Sequence, residues 1–163
     1  MLFRSPISDV HPEVNPVDGQ TYQVQWFQRA RYEAHPEKAP PDDVQFGLLG
    51  VEATAGRLDE SPFLKISASS STATRWYVPE TQHAIQGPIL QYWLAHGSWK
   101  QFGFPISEEF TETVPGDPQP HRVQYFQRAR FELHPGESPD TGGIILGLLG
   151  VQLYHPPKLP PTP

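Results

Sequence analysis

Two short strings place polar side chains at a spacing that could do chemistry. Arg31, Glu33 and His35 occupy alternate positions, and so do Arg130, Glu132 and His134 near the other end of the chain. Successive side chains of an extended strand point to opposite faces, so each trio puts a guanidinium, a carboxylate and an imidazole side by side. Such a row can hydrogen-bond the hydroxyls or the carboxylate of a ligand. Its plainer role is a surface ion pair worth under about 1 kcal/mol, with the imidazole closing the strand before a proline.

A second set is aromatic. Arg75-Trp76-Tyr77-Val78-Pro79-Glu80-Thr81-Gln82-His83 is followed by an apolar segment and then Trp99. Indole and phenol faces beside amide and carboxylate groups are how proteins hold sugar rings, by apolar stacking and directed hydroxyl bonds. Trp76, Tyr77, His83 and Trp99 are therefore candidate ligand-binding residues, together with the two Arg-x-Glu-x-His trios. The competing role for these aromatics is the core of a module poor in aliphatic residues.

Catalytic and metal chemistry find less support. Glu80, His83, Glu108 and Glu109 have no His-Glu-x-x-His spacing and form no carboxylate-rich calcium loop. Glu108-Glu109 reads as a solvated turn. Ser69-Ser70-Ser71 lies in linker-like sequence rather than on a Gly-x-Ser-x-Gly elbow. No nucleophile–base arrangement or phosphate-cradling glycine loop is legible, so we expect no catalytic residues, no metal, no cofactor and no enzyme.

The elements that must position these residues come in copies. Val24 to Pro36 returns as Val123 to Pro135 with ten of thirteen positions identical. Gly47-Leu48-Leu49-Gly50-Val51 returns as Gly147-Leu148-Leu149-Gly150-Val151. Residues 3–36 align without gaps to 102–135, and one residue is then inserted before the second pair of strings. At this register a counterpart of Trp76 to Trp99 would precede Met1, which predicts one and a half units. The boundaries we expect are a partial, second-half repeat over 1–52, a linker over 53–74, a complete repeat over 75–153 and a Pro-rich tail over 154–163. Stacked repeats stabilise one another, so the half unit should lean on its neighbour.

Within each unit, Val123 to Gln127 and Arg130 to His134 read as hairpin arms around Gln-Arg-Ala-Arg, with Phe131 and Leu133 opposite the polar trio. Gly87-Pro88-Ile89-Leu90-Gln91-Tyr92-Trp93-Leu94-Ala95-His96-Gly97 reads as a helix over about 88–96, with Pro at its start and Gly past its end. Ile89 and Trp93, like Leu90 and Leu94, lie four apart and form its buried stripe. The Ser/Thr/Ala run over 67–74 reads as flexible linker, and 61–66 as a short strand. The tail is expected as extended polyproline II. The fold class that results is α+β, mostly β: short β-hairpins with one principal helix.

Composition narrows the partners. A net charge of −6 with no basic block argues against nucleic acid. No run of 18 apolar residues spans a membrane. Twenty prolines and thirteen glycines imply many turns and few long helices. The absence of cysteine excludes disulfides without fixing a compartment. The first residues lack the apolar core of a signal peptide, so any export signal is expected outside this chain.

From Trp76-Tyr77-Val78-Pro79-Glu80-Thr81-Gln82-His83-Ala84-Ile85-Gln86-Gly87-Pro88-Ile89 to Phe102-Gly103-Phe104-Pro105-Ile106-Ser107-Glu108-Glu109, the chain resembles the LGFP-type repeat of bacterial envelope and exported proteins. Phe102 stands where the eponymous Leu is usual. The strings around Phe27-Gln28-Arg29 and Phe126-Gln127-Arg128 are similar to that family's connecting hairpin, though 123–135 lead to Gly147-Leu148-Leu149-Gly150 without a helix between. The resemblance implies a non-catalytic module at the cell surface, extracellular, holding a parent protein to envelope polysaccharide. A cell-wall or surface glycan is thus the expected partner. The alternatives are a structural role in a surface layer or filament, through contacts with other copies or a parent protein, and, less favoured, a hydrolase.

Overall fold

The computed structural model describes residues 5–134, 136 and 142–156. The tail beyond 156 lies outside the described residues. Among the described residues the architecture is mostly β: two four-stranded antiparallel meanders, a two-stranded hairpin and four short helices. The first meander comprises β1 (His11–Val14), β2 (Thr21–Trp26), β3 (Arg31–Ala34) and β4 (Val44–Phe46), followed by α1 (Leu49–Thr54). Next come a 3-10 turn over Ser61–Phe63 and a hairpin of β5 (Arg75–Val78) and β6 (His83–Gln86). Two helices follow, α2 (Gly87–Ala95) and α3 (Ser98–Phe102). The second meander is β7 (Phe110–Thr113), β8 (Pro120–Tyr125), β9 (Arg130–Leu133) and β10 (Ile144–Leu146), closed by α4 (Leu149–Leu153).

The meanders share their register. Glu13 pairs with Tyr22 as Glu112 pairs with His121, and Trp26 pairs with Arg31 as Tyr125 pairs with Arg130. Alternation then sorts side chains onto two faces. Val123, Tyr125, Arg130 and Glu132 share one face of the second meander; Gln124, Phe126, Phe131 and Leu146 share the other.

Each face has its own core. Phe126, Phe131, Ile144 and Leu146 pack beneath β5–β6 and α2, against Ile85, Ile89 and Trp93. The α2 stripe forms as its spacing requires: Ile89, Leu90 and Trp93 are buried, although Leu94 points to solvent. The other core draws on both meanders, with Val24, Trp26 and Leu49 meeting Val123, Tyr125 and Leu149.

The joint between meanders is reciprocal. Neither α1 nor α4 has a side-chain N-cap, yet a helix start leaves backbone N–H groups without intrahelical acceptors. The Gly50 and Val51 N–H groups donate to the carbonyl of Gln127, at 3.1 and 3.2 Å. The Val151 N–H donates to the carbonyl of Gln28, at 3.1 Å. Each Gln-Arg-Ala-Arg turn therefore caps the helix of the opposite meander, which is the physical reason the two duplicated strings occur together.

The segment expected as a linker is packed at its centre. Phe63 is buried in the shared core, and the Ile66 N–H donates to the Gln82 carbonyl at 2.9 Å. Arg57 pairs with Glu60 and with Glu112 of β7, both at 2.9 Å.

Candidate functional site

Both Arg-x-Glu-x-His trios face inward, a correction to the expected surface row. Arg31, Glu33, His35, Arg130, Glu132 and His134 are all buried, with Arg31 only 1% exposed. They lie on the meander faces turned toward α1, α4 and the opposite unit. A buried guanidinium is tolerable only when its donors are met by acceptors. Arg31 meets Glu33 Oε1 from Nε at 2.9 Å and from Nη2 at 2.6 Å. It forms a two-pronged bond with Glu52, at 2.6 and 3.0 Å, and reaches Glu13 at 3.3 Å. The indole of Trp26 lies 4.9 Å from the guanidinium and donates to Glu13 at 2.8 Å.

Burial alone would lower the Arg31 pKa, but hydrogen bonding and attraction from Glu52 and Glu33 outweigh it and raise it. Burial pushes the Glu52 carboxyl above its ordinary value; Arg31 opposes this, and Glu33 and Glu13 add to it. Three carboxylates, Glu13, Glu33 and Glu52, thus converge on one guanidinium.

The second unit repeats the arrangement with fewer charges. Arg130 meets Glu132 Oε1 at 2.9 and 2.6 Å, the Tyr125 hydroxyl at 3.1 Å and Gln152 at 3.2 Å. Tyr125 donates to Glu112 at 2.7 Å, as Trp26 does to Glu13. Each network lies within its own unit and ties β3 to α1, through Arg31 and Glu52, or β9 to α4, through Arg130 and Gln152.

The aromatic candidates divide. Tyr77 and His83 are buried. His83 Nδ1 lies 3.1 Å from Glu108 Oε1, which also accepts the Ala84 N–H at 3.0 Å. Glu108 is thus a clasp on β6, and Glu109 pairs with Arg122; neither forms the solvated turn expected. Trp76 sits at the hairpin surface with its ring edge-on to Trp93, centroids 5.2 Å apart. Trp99 is the more exposed of the two surface indoles, at 50% against 37% for Trp76.

Trp99 lies on the wall of an open groove of about 600 Å³ between the units, which also holds Asp42, Gln45, Phe46, Lys100 and Arg128. Arg128 braces it, donating from Nε to the Phe46 carbonyl at 3.3 Å and from Nη1 to the Trp99 carbonyl at 3.1 Å. Burial lowers the Arg128 pKa. Lys100 lies 5.7 Å from the Trp99 ring, which stacks at 6.3 Å on Phe104. The groove thus sets a carboxylate, an amide and an ammonium beside an aromatic wall. Asp42, Gln45 and Lys100 carry no motif, Arg128 belongs to the duplicated Gln-Arg-Ala-Arg turn, and the fold assembles the four from elements distant in sequence.

Comparison with known proteins finds no matching family model, no matching curated protein and no matching solved structure.

Among the described residues, one group has donor atoms close enough for a metal ion: Asp117, His121 and His134. Its signal lay in the sequence, because the hairpin register extended by one pair past Arg122–Leu133 brings His121 opposite His134.

Proposed function

We propose that the chain is a non-catalytic cell-surface module, a divergent LGFP-type repeat in one and a half units, that binds envelope polysaccharide in the groove beside Trp99. The observation that carries this reading is a half-exposed indole on the wall of an open, polar-rimmed groove. Exposed aromatic faces are costly to leave in water, and saccharide CH faces are a natural cover. Repetition suits weak sites, because linked modules gain by avidity. Isothermal titration against envelope polysaccharides tests it. Heat that disappears in Trp99→Ala supports the reading, and no heat with any envelope glycan at sub-millimolar protein overturns it.

A second reading, assembly with other copies or with a parent protein, has one observation in its favour. Ile144 on the second meander is 2% exposed beneath α2, whereas Val44, its counterpart on the first, is 52% exposed. Val44 lines an apolar groove of about 280 Å³ with Val10 and Ala34. Concentration-dependent association in light scattering supports this reading, and a strict monomer argues against it.

A further inference from the structure

We propose that the open end of the second meander binds a transition-metal dication, zinc above all, through Asp117, His121 and His134. One donor atom from each residue lies within 4.8 Å of the other two. Donors around a tetrahedral zinc, at about 2.0–2.1 Å from the ion, are about 3.4 Å apart. The three groups therefore need to close by roughly an ångström to take up the ion.

The local structure favours that closure. His121 ends a cross-strand step from His134, and the imidazoles stack with centroids 3.9 Å apart and planes 24° from parallel. Asp117 sits on the β7–β8 turn, where one carboxylate oxygen accepts the Gln119 N–H at 2.9 Å. Its other oxygen faces His121 Nε2 at 2.8 Å. His134 Nε2 lies 3.1 Å from Glu132 Oε2, and Glu132 is itself held by Arg130. A carboxylate behind an imidazole fixes its tautomer and ring orientation, the usual support for a ligating histidine.

The donor set selects the ion. Two imidazoles and one carboxylate suit zinc and its neighbours, whereas calcium and magnesium favour oxygen ligands throughout. Three protein donors leave the fourth position to water. The first unit supplies an internal contrast: Asp18, Tyr22 and His35 occupy the matching places, with the Tyr22 hydroxyl 2.9 Å from Asp18 and its ring 4.2 Å from His35. The same fold thus carries a phenol in one copy, a poor ligand at neutral pH, and an imidazole in the other.

The test is isothermal titration of tag-free, chelator-treated protein with zinc chloride, with histidine ring signals followed by NMR. We expect one zinc per chain at micromolar concentration, displacement of the His121 and His134 signals, and a rise in unfolding temperature with zinc. His121→Tyr copies the first unit, so it keeps the fold, and it should weaken binding at least tenfold. Asp117→Asn should weaken it also, and Tyr22→His should add a second equivalent. His155→Ala is expected to leave uptake unchanged. No uptake below millimolar zinc overturns the proposal, and so does uptake that responds to neither His121→Tyr nor Tyr22→His.

Discussion

The backbone of Gly50 approaches the Phe126 carbonyl so closely that an added Cβ would stand 1.7 Å from its oxygen. Gly150 faces the Phe27 carbonyl in the same way, at 1.9 Å. Alanine is the better helix former by about 1 kcal/mol, so glycine inside α1 and α4 reflects the contact rather than local preference. Overpacking against backbone cannot relax by side-chain rotation. Gly50→Ala and Gly150→Ala should each lose about 3 kcal/mol or more in urea unfolding. Gly56→Ala, where a Cβ meets nothing within 4 Å, should stay within about 0.5 kcal/mol of the parent. Equal effects at Gly56 and Gly150 would remove the case for a reciprocal joint.

Glu52 gives a pH prediction. Burial raises its folded pKa above the unfolded value of about 4.3, so the folded state holds the proton more tightly. Its contribution to stability is fully present below the unfolded value and is lost as pH rises through the raised folded value. Glu52→Gln removes this ionisation yet keeps an acceptor for Arg31, as Gln152 does for Arg130. Unfolding free energies measured from pH 4 to 7 should shift in favour of the variant as pH rises. A constant difference across that range would contradict the raised pKa.

Arg130 carries the buried network of the second unit. Arg130→Ala would strand the Glu132 carboxylate, at a cost of about 3–5 kcal/mol. Arg130→Lys keeps the charge but cannot meet Glu132, Tyr125 and Gln152 together, and should recover only part of the loss. Recovery of full stability by lysine in denaturant unfolding would show that charge alone suffices.

Trp93 and Trp99 should separate stability from binding. Trp93 is fully buried and donates to the Gly103 carbonyl at 3.1 Å. Trp93→Ala is expected to cost about 3–5 kcal/mol. Trp99→Ala should cost far less and act on glycan titrations. A large stability loss at Trp99 would mark it as core and remove the groove's aromatic platform.

Alternation is a local property, and it reads correctly. Phe131 and Leu133 do lie opposite Arg130, Glu132 and His134, and the Gln-Arg-Ala-Arg turn joins two paired strands. The helix over 87–95 follows from its glycine and proline ends and its apolar spacing. Period-two spacing says which residues share a face, but it is silent on what covers that face. Spacing alone therefore does not separate a surface row from the buried networks that α1 and α4 complete.

The sequence by itself determined the central hairpin around Gln-Arg-Ala-Arg, the alternation of its faces and the principal helix, because backbone geometry and side-chain alternation act over a few residues. Only the tertiary structure decided that Arg31 and Arg130 are interior, that each turn caps the other unit's helix, and that Trp99 and Arg128 wall one groove. Those outcomes depend on carboxylates, carbonyls and rings brought together from distant parts of the chain. Only packing fixes which charges are compensated and which faces remain in water.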